Sequence, residues 1–307
     1  MHLSKLICFV ILSLALIFRA EILYAQQPVL KEARLNMGFF YYSIAESANR
    51  SDIEVSLNYW AKDLFESEGS KNRFRVVESK SVLYEDMQEM RKDFDAGELD
   101  MIVAPPLLIA KYFDRKQLAD GVAGVLADKM PEHIYLIANK KKGIKNIKDL
   151  VGMNVGMQEY DETADIFLDN LALKELNKSY LDLNLKFVYS KKSASMVLDV
   201  FFGSLAAAVV YGSAFDTMVE LNPGINSNVA ILAEFTFKSK NFSYFRRDYA
   251  LAGEINSSAN QFNKTVRGKQ ILEIYKTPEM DDCKLEDLDP IENYYKDYLE
   301  LKKHAGK

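Results

Sequence analysis

The sequence predicts an α/β protein of two lobes, each built on a doubly wound, mainly parallel sheet, with two chain crossings between them. Three observations predict it. Amphipathic stretches of helical period alternate with short apolar runs of strand length. Two of those runs, Leu99 to Ala104 and Leu205 to Val210, are apolar without alternation, as strands buried on both faces are. Each follows a helix stopped by a glycine and turns at once into a short helix, so one arrangement occurs twice, roughly a hundred residues apart, as two lobes of similar architecture require.

The chain starts with an expected export signal over residues 1–25: Lys5, an uncharged apolar run from Leu6 to Phe18, Arg19, and a small-residue exit at Ala25. That run is shorter than the roughly 20 residues of a permanent membrane span. Export to the periplasm is therefore expected. Cys8 would leave with the signal, and Cys283 alone cannot form an intramolecular disulfide.

After the signal, Arg34 to Phe40 reads as a strand. Ser51-Asp52-Ile53-Glu54 is a capping box opening a helix with Ile53, Leu57, Trp60 and Leu64 on one face and Gly69 at its end. Phe74 to Glu78 is the next strand. Leu83, Met87, Met90 and Phe94 mark a second helix, stopped by Gly97, and the strand Leu99 to Ala104 turns at Pro105-Pro106 into a helix Leu107 to Phe113.

The second lobe is expected from the strand His133 to Ala138 onward. Strand Asn154 to Met157, helix Thr163 to Leu176, strand Leu185 to Tyr189 and helix Ala194 to Phe202 closed by Gly203 follow. Strand Leu205 to Val210 leads through Tyr211-Gly212 into a helix Ala214 to Glu220, and Val229 to Phe235 is the last strand of the unit. Phe242 to Arg247 reads as a return strand, and helices Ala259 to Lys276 and Pro290 to Lys303 are expected to pack back on the first lobe. The expected domains are residues 26–130 with 239–307 as lobe 1 and residues 131–238 as lobe 2, with crossings near Met130 to Glu132 and Lys238 to Asn241. Two such straps make a natural hinge.

Composition narrows the function. With 49% hydrophobic residues, 14 Gly and 7 Pro, no stretch is too polar to fold. A net charge of -5, with Lys140-Lys141-Lys142 as the longest basic run, argues against a nucleic-acid partner. No Gly-x-Ser-x-Gly elbow and no glycine-rich phosphate cradle occurs, so no catalytic residue and no cofactor is assigned. Of three histidines, His2 belongs to the signal, and His133 and His304 cannot build a histidine metal cluster, so no metal site is assigned.

In doubly wound sheets, ligands bind beyond the carboxyl ends of strands. The loops expected there are Tyr41-Tyr42-Ser43, Ala104-Pro105-Pro106, Glu159 to Thr163 and Tyr211-Gly212-Ser213. The residues Gly97-Glu98-Leu99-Asp100 through Pro106, the stretch Gly143-Ile144-Lys145-Asn146-Ile147-Lys148-Asp149-Leu150-Val151-Gly152, and Leu221-Asn222-Pro223 together resemble the phosphate/phosphite/phosphonate-type substrate-binding proteins of ABC importers. The resemblance covers most of the mature chain. It implies a type II periplasmic-binding-protein (Venus flytrap) fold, a monomer that takes a small-molecule solute, and an ABC permease in the inner membrane as partner.

The resemblance also implies an anion held by a Ser-Thr-Ser run at a helix N-terminus, where free N–H groups and the dipole favour negative charge. Here the matching positions read Glu162-Thr163-Ala164, and only the threonine is kept. Asp161 and Glu162 either cap the helix towards solvent or meet a positive group of the ligand, boxed by Phe39, Tyr41, Tyr42 and Tyr211 through cation–π contact. The candidate ligand-binding residues are therefore Phe39, Tyr41, Tyr42, Pro105, Pro106, His133, Glu162, Thr163, Ala164 and Tyr211. His133 stands where the resemblance places an aromatic residue at the mouth of the second lobe. A receptor delivering solute to a permease leads; a sensor feeding a membrane kinase or chemoreceptor, and an enzyme on the same fold, are the alternatives.

Overall fold

In the computed structural model, residues 31–44, 50–58, 74–274 and 277–305 are described. The expected export signal, with Trp60, Leu64 and Gly69, lies outside them. β1 (Lys31–Phe40) runs into a single helical turn, Tyr41–Ile44, and residues 50–58 are helical with Ile53 and Leu57 buried. β2 (Phe74–Tyr84) is longer than its apolar pattern suggested. It takes in Leu83, which pairs with Phe39 of β1, and the following helix starts only at Met87, where the Asp86 carboxylate accepts the N–H of Gln88. The side-chain cap, rather than the helical spacing of Leu83, sets that boundary. Met87, Met90 and Phe94 do form the buried face of Met87–Asp95.

β3 (Met101–Ala104) leads into the helix Pro106–Tyr112, with Pro106 at its first position, where a missing N–H is harmless. β4 (Leu118–Ala119), β5 (Gly121–Val125) and β6 (Glu132–Asn139) follow, then β7 (Asn154–Gln158), the helix Glu162–Leu176, β8 (Lys186–Ser190), the helix Ser193–Phe202 and β9 (Ala207–Tyr211). Helix Gly212–Leu221, β10 (Val229–Phe237) and β11 (Phe242–Arg246) come next.

The stretch read as one helix from Ala259 is two, Ala252–Phe262 and Val266–Ile274, before β12 (Glu279–Cys283). Asn263 explains the break. Its side chain donates to the Met280 carbonyl (2.7 Å) and accepts the Met280 N–H (2.8 Å), and the Thr265 hydroxyl then accepts the N–H of Gly268 to start the next helix.

One sheet has the order β2-β1-β3-β11-β4, the other β8-β7-β9-β6-β10. In the first, β1 is parallel to β2 and β3, and β11 is antiparallel to β3 and β4. In the second, β7 is parallel to β8 and β9, and β6 is antiparallel to β9 and β10. The two orders are the same, with β7 in the place of β1, β9 in that of β3, and β6 in that of β11. Each sheet is therefore mostly parallel, and its one antiparallel strand is the strand by which the chain enters that sheet from the other.

The equivalence reaches side chains. Gly38 on β1 lies so close to Leu99, Met90 and Tyr84 that a Cβ there would meet Leu99 Cδ1 at 2.7 Å. Gly156 on β7 is crowded the same way, by Leu205 Cδ1 at 2.7 Å and Met196 Sδ at 3.1 Å. In both copies the methionine lies on the preceding helix, and a glycine in the left-handed region, Gly97 or Gly203, ends that helix two residues before the leucine. The glycine on the first strand lets helix and sheet approach closely.

β5 and β12 form a separate two-stranded antiparallel sheet beside the crossings. Asp281 on β12 binds Lys129 (2.8 Å), before β6, and Lys238 (3.2 Å), after β10, so one carboxylate joins both straps.

The last helix, Asp289–His304, differs from expectation in its contacts. Arg115 of the first lobe pairs with its Asp289 and Glu292. Its Tyr294 also stacks on Phe235 of β10 at 3.9 Å, and the Tyr298 hydroxyl donates to the buried Asp169 of helix Glu162–Leu176 at 2.8 Å. The helix therefore spans both lobes.

Candidate functional site

The carboxyl ends of β1, β3, β7 and β9 converge on one small, partly open recess. Phe40, Tyr42 and Ser43 come from the end of β1 and its helical turn, Pro105 from the turn after β3 and Leu108 from the first turn of the helix that follows. Gln158 ends β7 and Tyr160, Asp161 and Glu162 follow it, Tyr211 ends β9, and Lys240 belongs to the second crossing. Both lobes thus supply the walls.

Of the residues expected from sequence, Tyr42, Pro105, Glu162 and Tyr211 line this recess. Phe39 points to the opposite face of the sheet, into a cluster with Leu35, Met37 and Phe245, because side chains alternate along a strand and Phe40 takes the recess side. Tyr41 packs against that same cluster and meets Tyr42 edge-on at 5.3 Å. Pro106 is buried at the start of its helix. His133 stacks on Tyr135 (5.2 Å, 19°), with Nδ1 3.0 Å from the Thr236 hydroxyl.

Thr163 and Ala164 are buried in the first turn of helix Glu162–Leu176. The Thr163 hydroxyl lies beside that of Tyr211, favouring its ionised form, yet completes no hydrogen bond of ordinary geometry.

The two acidic residues have different partners. Asp161 caps the helix, accepting the Ala164 N–H at 3.1 Å, and its carboxylate also accepts the Tyr211 hydroxyl at 3.3 Å. Burial pushes the Asp161 carboxyl above the usual range, while the Ala164 N–H, Lys240 and Tyr211 oppose the rise. Burial and the neighbouring Asp161 also push the Tyr211 hydroxyl well up.

Glu162 reaches across to the first lobe. It forms an ion pair with Lys111 and accepts the Tyr112 hydroxyl at 3.1 Å, both from helix Pro106–Tyr112. Burial opposes the charge on Lys111, but Glu162 and Tyr112 outweigh it and raise the lysine pKa. Lys240 Nζ stands 4.5 Å from the centre of the Tyr211 ring, and Tyr160 stacks on Tyr42. The positive groups at the acidic pair and on the aromatic faces are thus the protein's own lysines.

Sequence reasoning left Asp161 as either a cap or a ligand contact, placed Tyr160 and Lys240 in the right loops with no part in binding, and missed Lys111, Tyr112 and Gln158. The signal for Lys111 and Tyr112 was faint: they lie at the far end of a helix whose N-terminus alone faces the switch point. Among the described residues, no group of His, Cys, Asp and Glu is arranged to hold a metal ion. Cys283 is buried, which pushes its thiol up to about 12.

Two sheets of identical strand order, linked by two crossings and enclosing one recess between them, define a type II periplasmic binding protein. The family model of the ABC transporter, phosphonate, periplasmic substrate-binding proteins matches residues 76–247, and the chain belongs to that family. Among curated protein sequences, none matches this chain.

Solved structures share the fold at low identity. XAC2383 from Xanthomonas citri bound to chloride ion superposes with a TM-score of 0.64 at 10% identity, over 88% of this chain and 99% of that one. The binding protein component of an ABC phosphonate transporter (PA3383) from Pseudomonas aeruginosa gives 0.60 at 12% identity, covering 89% and 88%. PhnD1 from Prochlorococcus marinus (MIT 9301), in complex with methylphosphonate, gives 0.58 at 15%, covering 87% and 97%.

Proposed function

We propose that this chain is the exported solute receptor of an ABC importer, which closes two lobes on a small oxyanion-bearing solute of the phosphonate or phosphate class and hands it unchanged to a membrane permease. The observation that carries the reading is the recess itself, walled by strand ends of both sheets. Family membership supports the receptor role, and the methylphosphonate complex of PhnD1 supports the ligand class.

On this reading residues 26–130 with 239–307 move as one lobe and residues 131–238 as the other, and the straps around Lys129 and Lys238 bend. The receptor works in the periplasm as a monomer, its signal over residues 1–25 being removed on export, and it performs no chemistry on its solute. A thermal-shift panel of phosphate, phosphite, phosphonates, sulfate, amines and amino acids tests the class. A ligand at a hundred times its dissociation constant adds about 2.7 kcal/mol of stability. The expected response is to the oxyanions; a response confined to amines or amino acids would refute the class.

A further inference from the structure

Glu162 is held as an anionic ligand would be held. Its carboxylate lies at the first position of a 15-residue helix, lines the recess, and from there reaches an ammonium and a phenol of the opposite lobe. Lys111 and Tyr112 both direct donors at it, the hydroxyl contacting its two oxygens at 3.3 and 3.1 Å. A planar carboxylate and a tetrahedral oxyanion take the same donors, because both present two oxygens at similar spacing. The donors come from one lobe and the carboxylate from the other, so this contact draws the lobes together.

We propose that Lys111 and Tyr112, which stand behind Glu162 at the edge of the recess rather than in its lining, form an anion subsite there and that Glu162 is its built-in occupant, a tethered carboxylate that an incoming oxyanion displaces. The oxyanion class rests on the function proposed above; the latch does not. A tethered group competes at the high effective concentration set by its tether. The apparent affinity for a free anion is reduced by the fraction of molecules in which Glu162 is unlatched. Glu162 then sets specificity by selection: weak monoanions fail to displace it, and only a solute that binds Lys111 and Tyr112 better than a carboxylate enters. The pair also gives Asp161 and Glu162 opposite duties, since Asp161 stays on its own helix as the cap while Glu162 leaves it.

The test uses the mature protein and Glu162→Gln, with Lys111→Met added singly and to Glu162→Gln. Small-angle scattering without ligand reads the lobes, and calorimetry with methylphosphonate, inorganic phosphate and sulfate reads the subsite. Circular dichroism and melting confirm that each variant folds; a misfolded variant is replaced by Glu162→Asp, one methylene too short to reach. Glu162→Gln is expected to enlarge the radius of gyration without ligand and to bind at least one of the three anions tenfold or more tighter, and Lys111→Met is expected to remove that gain. Scattering unchanged in Glu162→Gln would overturn the latch whatever the ligand. An opened Glu162→Gln protein that takes none of the anions would overturn the oxyanion class and the subsite with it. An affinity gain that survives Lys111→Met would move the subsite elsewhere.

Discussion

Tyr42 of the first lobe and Tyr160 of the second stack across the recess, with 4.5 Å between ring centroids and 23° between planes. Tyr160 holds its ring there from a left-handed backbone, φ 58°, although two-thirds of the residue is exposed. That conformation is unfavourable for a tyrosine, and such strain persists where surrounding contacts impose it. Tyr42 is braced in turn by Glu85, whose carboxylate accepts its hydroxyl at 3.2 Å and binds Arg50 at 2.7 Å. The stack is a second point, beside Glu162 and Lys111, at which the two lobes touch.

A double-mutant cycle should measure that contact. Tyr42→Ala and Tyr160→Ala are each expected to lower stability to urea, and the coupling between them should be about 0.5–1.5 kcal/mol, as for other aromatic pairs. Tyr160→Gly should cost less than Tyr160→Ala, because glycine relieves the positive φ. A coupling near zero would mean that the rings do not meet in solution.

Asp161 gives the cleft a pH dependence whose sign follows from burial. Its folded pKa is raised by desolvation above the unfolded value of about 3.9, so the ionised form costs stability at neutral pH. The cost is relieved as pH falls through the raised folded pKa, and the effect vanishes below the unfolded value. Asp161→Asn keeps an oxygen to cap Ala164. It is expected to be more stable than the parent at pH 8, with the difference shrinking as pH is lowered towards the unfolded value of about 3.9, in urea titrations at pH 8 and pH 4; equal differences at the two would contradict it.

How much of this was legible depends on whether a pattern names its own partner. The apolar strands Met101–Ala104 and Ala207–Tyr211 were legible because burial on both faces forbids polar residues, whatever lies next to them. The acidic start of helix Glu162–Leu176 was also legible, but Asp161 and Glu162 look alike in sequence. Only the fold brings Lys111 to one and Tyr211 to the other. Tyr160 carries no mark of its positive φ, since glycine or asparagine would be the usual residue there. The apolar face of helix Asp289–His304 was visible in its spacing, yet a face does not say which lobe it covers. Here it covers both.

That bridging helix makes a strong claim about stability. Asp169 is almost fully buried as a charge, held by Ser179 (2.5 Å), the Tyr180 N–H (3.2 Å), Tyr298 (2.8 Å) and Lys302 (3.3 Å). Tyr298→Phe removes one hydrogen bond to that charge and leaves the ring in place. The expected loss is about 1.5–3 kcal/mol, larger than for a neutral pair, read from urea denaturation. A loss below about 0.5 kcal/mol, the range of an ordinary surface change, would show that the helix is not anchored through Asp169.

The two straps should be uncoupled by a single substitution at Asp281. Burial pushes its carboxyl up, but Lys129 and Lys238 outweigh burial and hold it below the usual range. A lowered folded pKa contributes stability that is present above the unfolded value, about 3.9, and is lost as pH falls through the folded one. Asp281→Asn keeps the shape and removes the charge that both lysines share. Near pH 7 it is expected to lower the melting temperature modestly and to widen the distribution of lobe distances, read by fluorescence transfer between labels on the two lobes. As pH falls through the folded pKa the parent loses the same charge and should approach the variant in both measurements. If the distance distributions of parent and variant coincide at pH 7, the Asp281 contact does not couple the two straps.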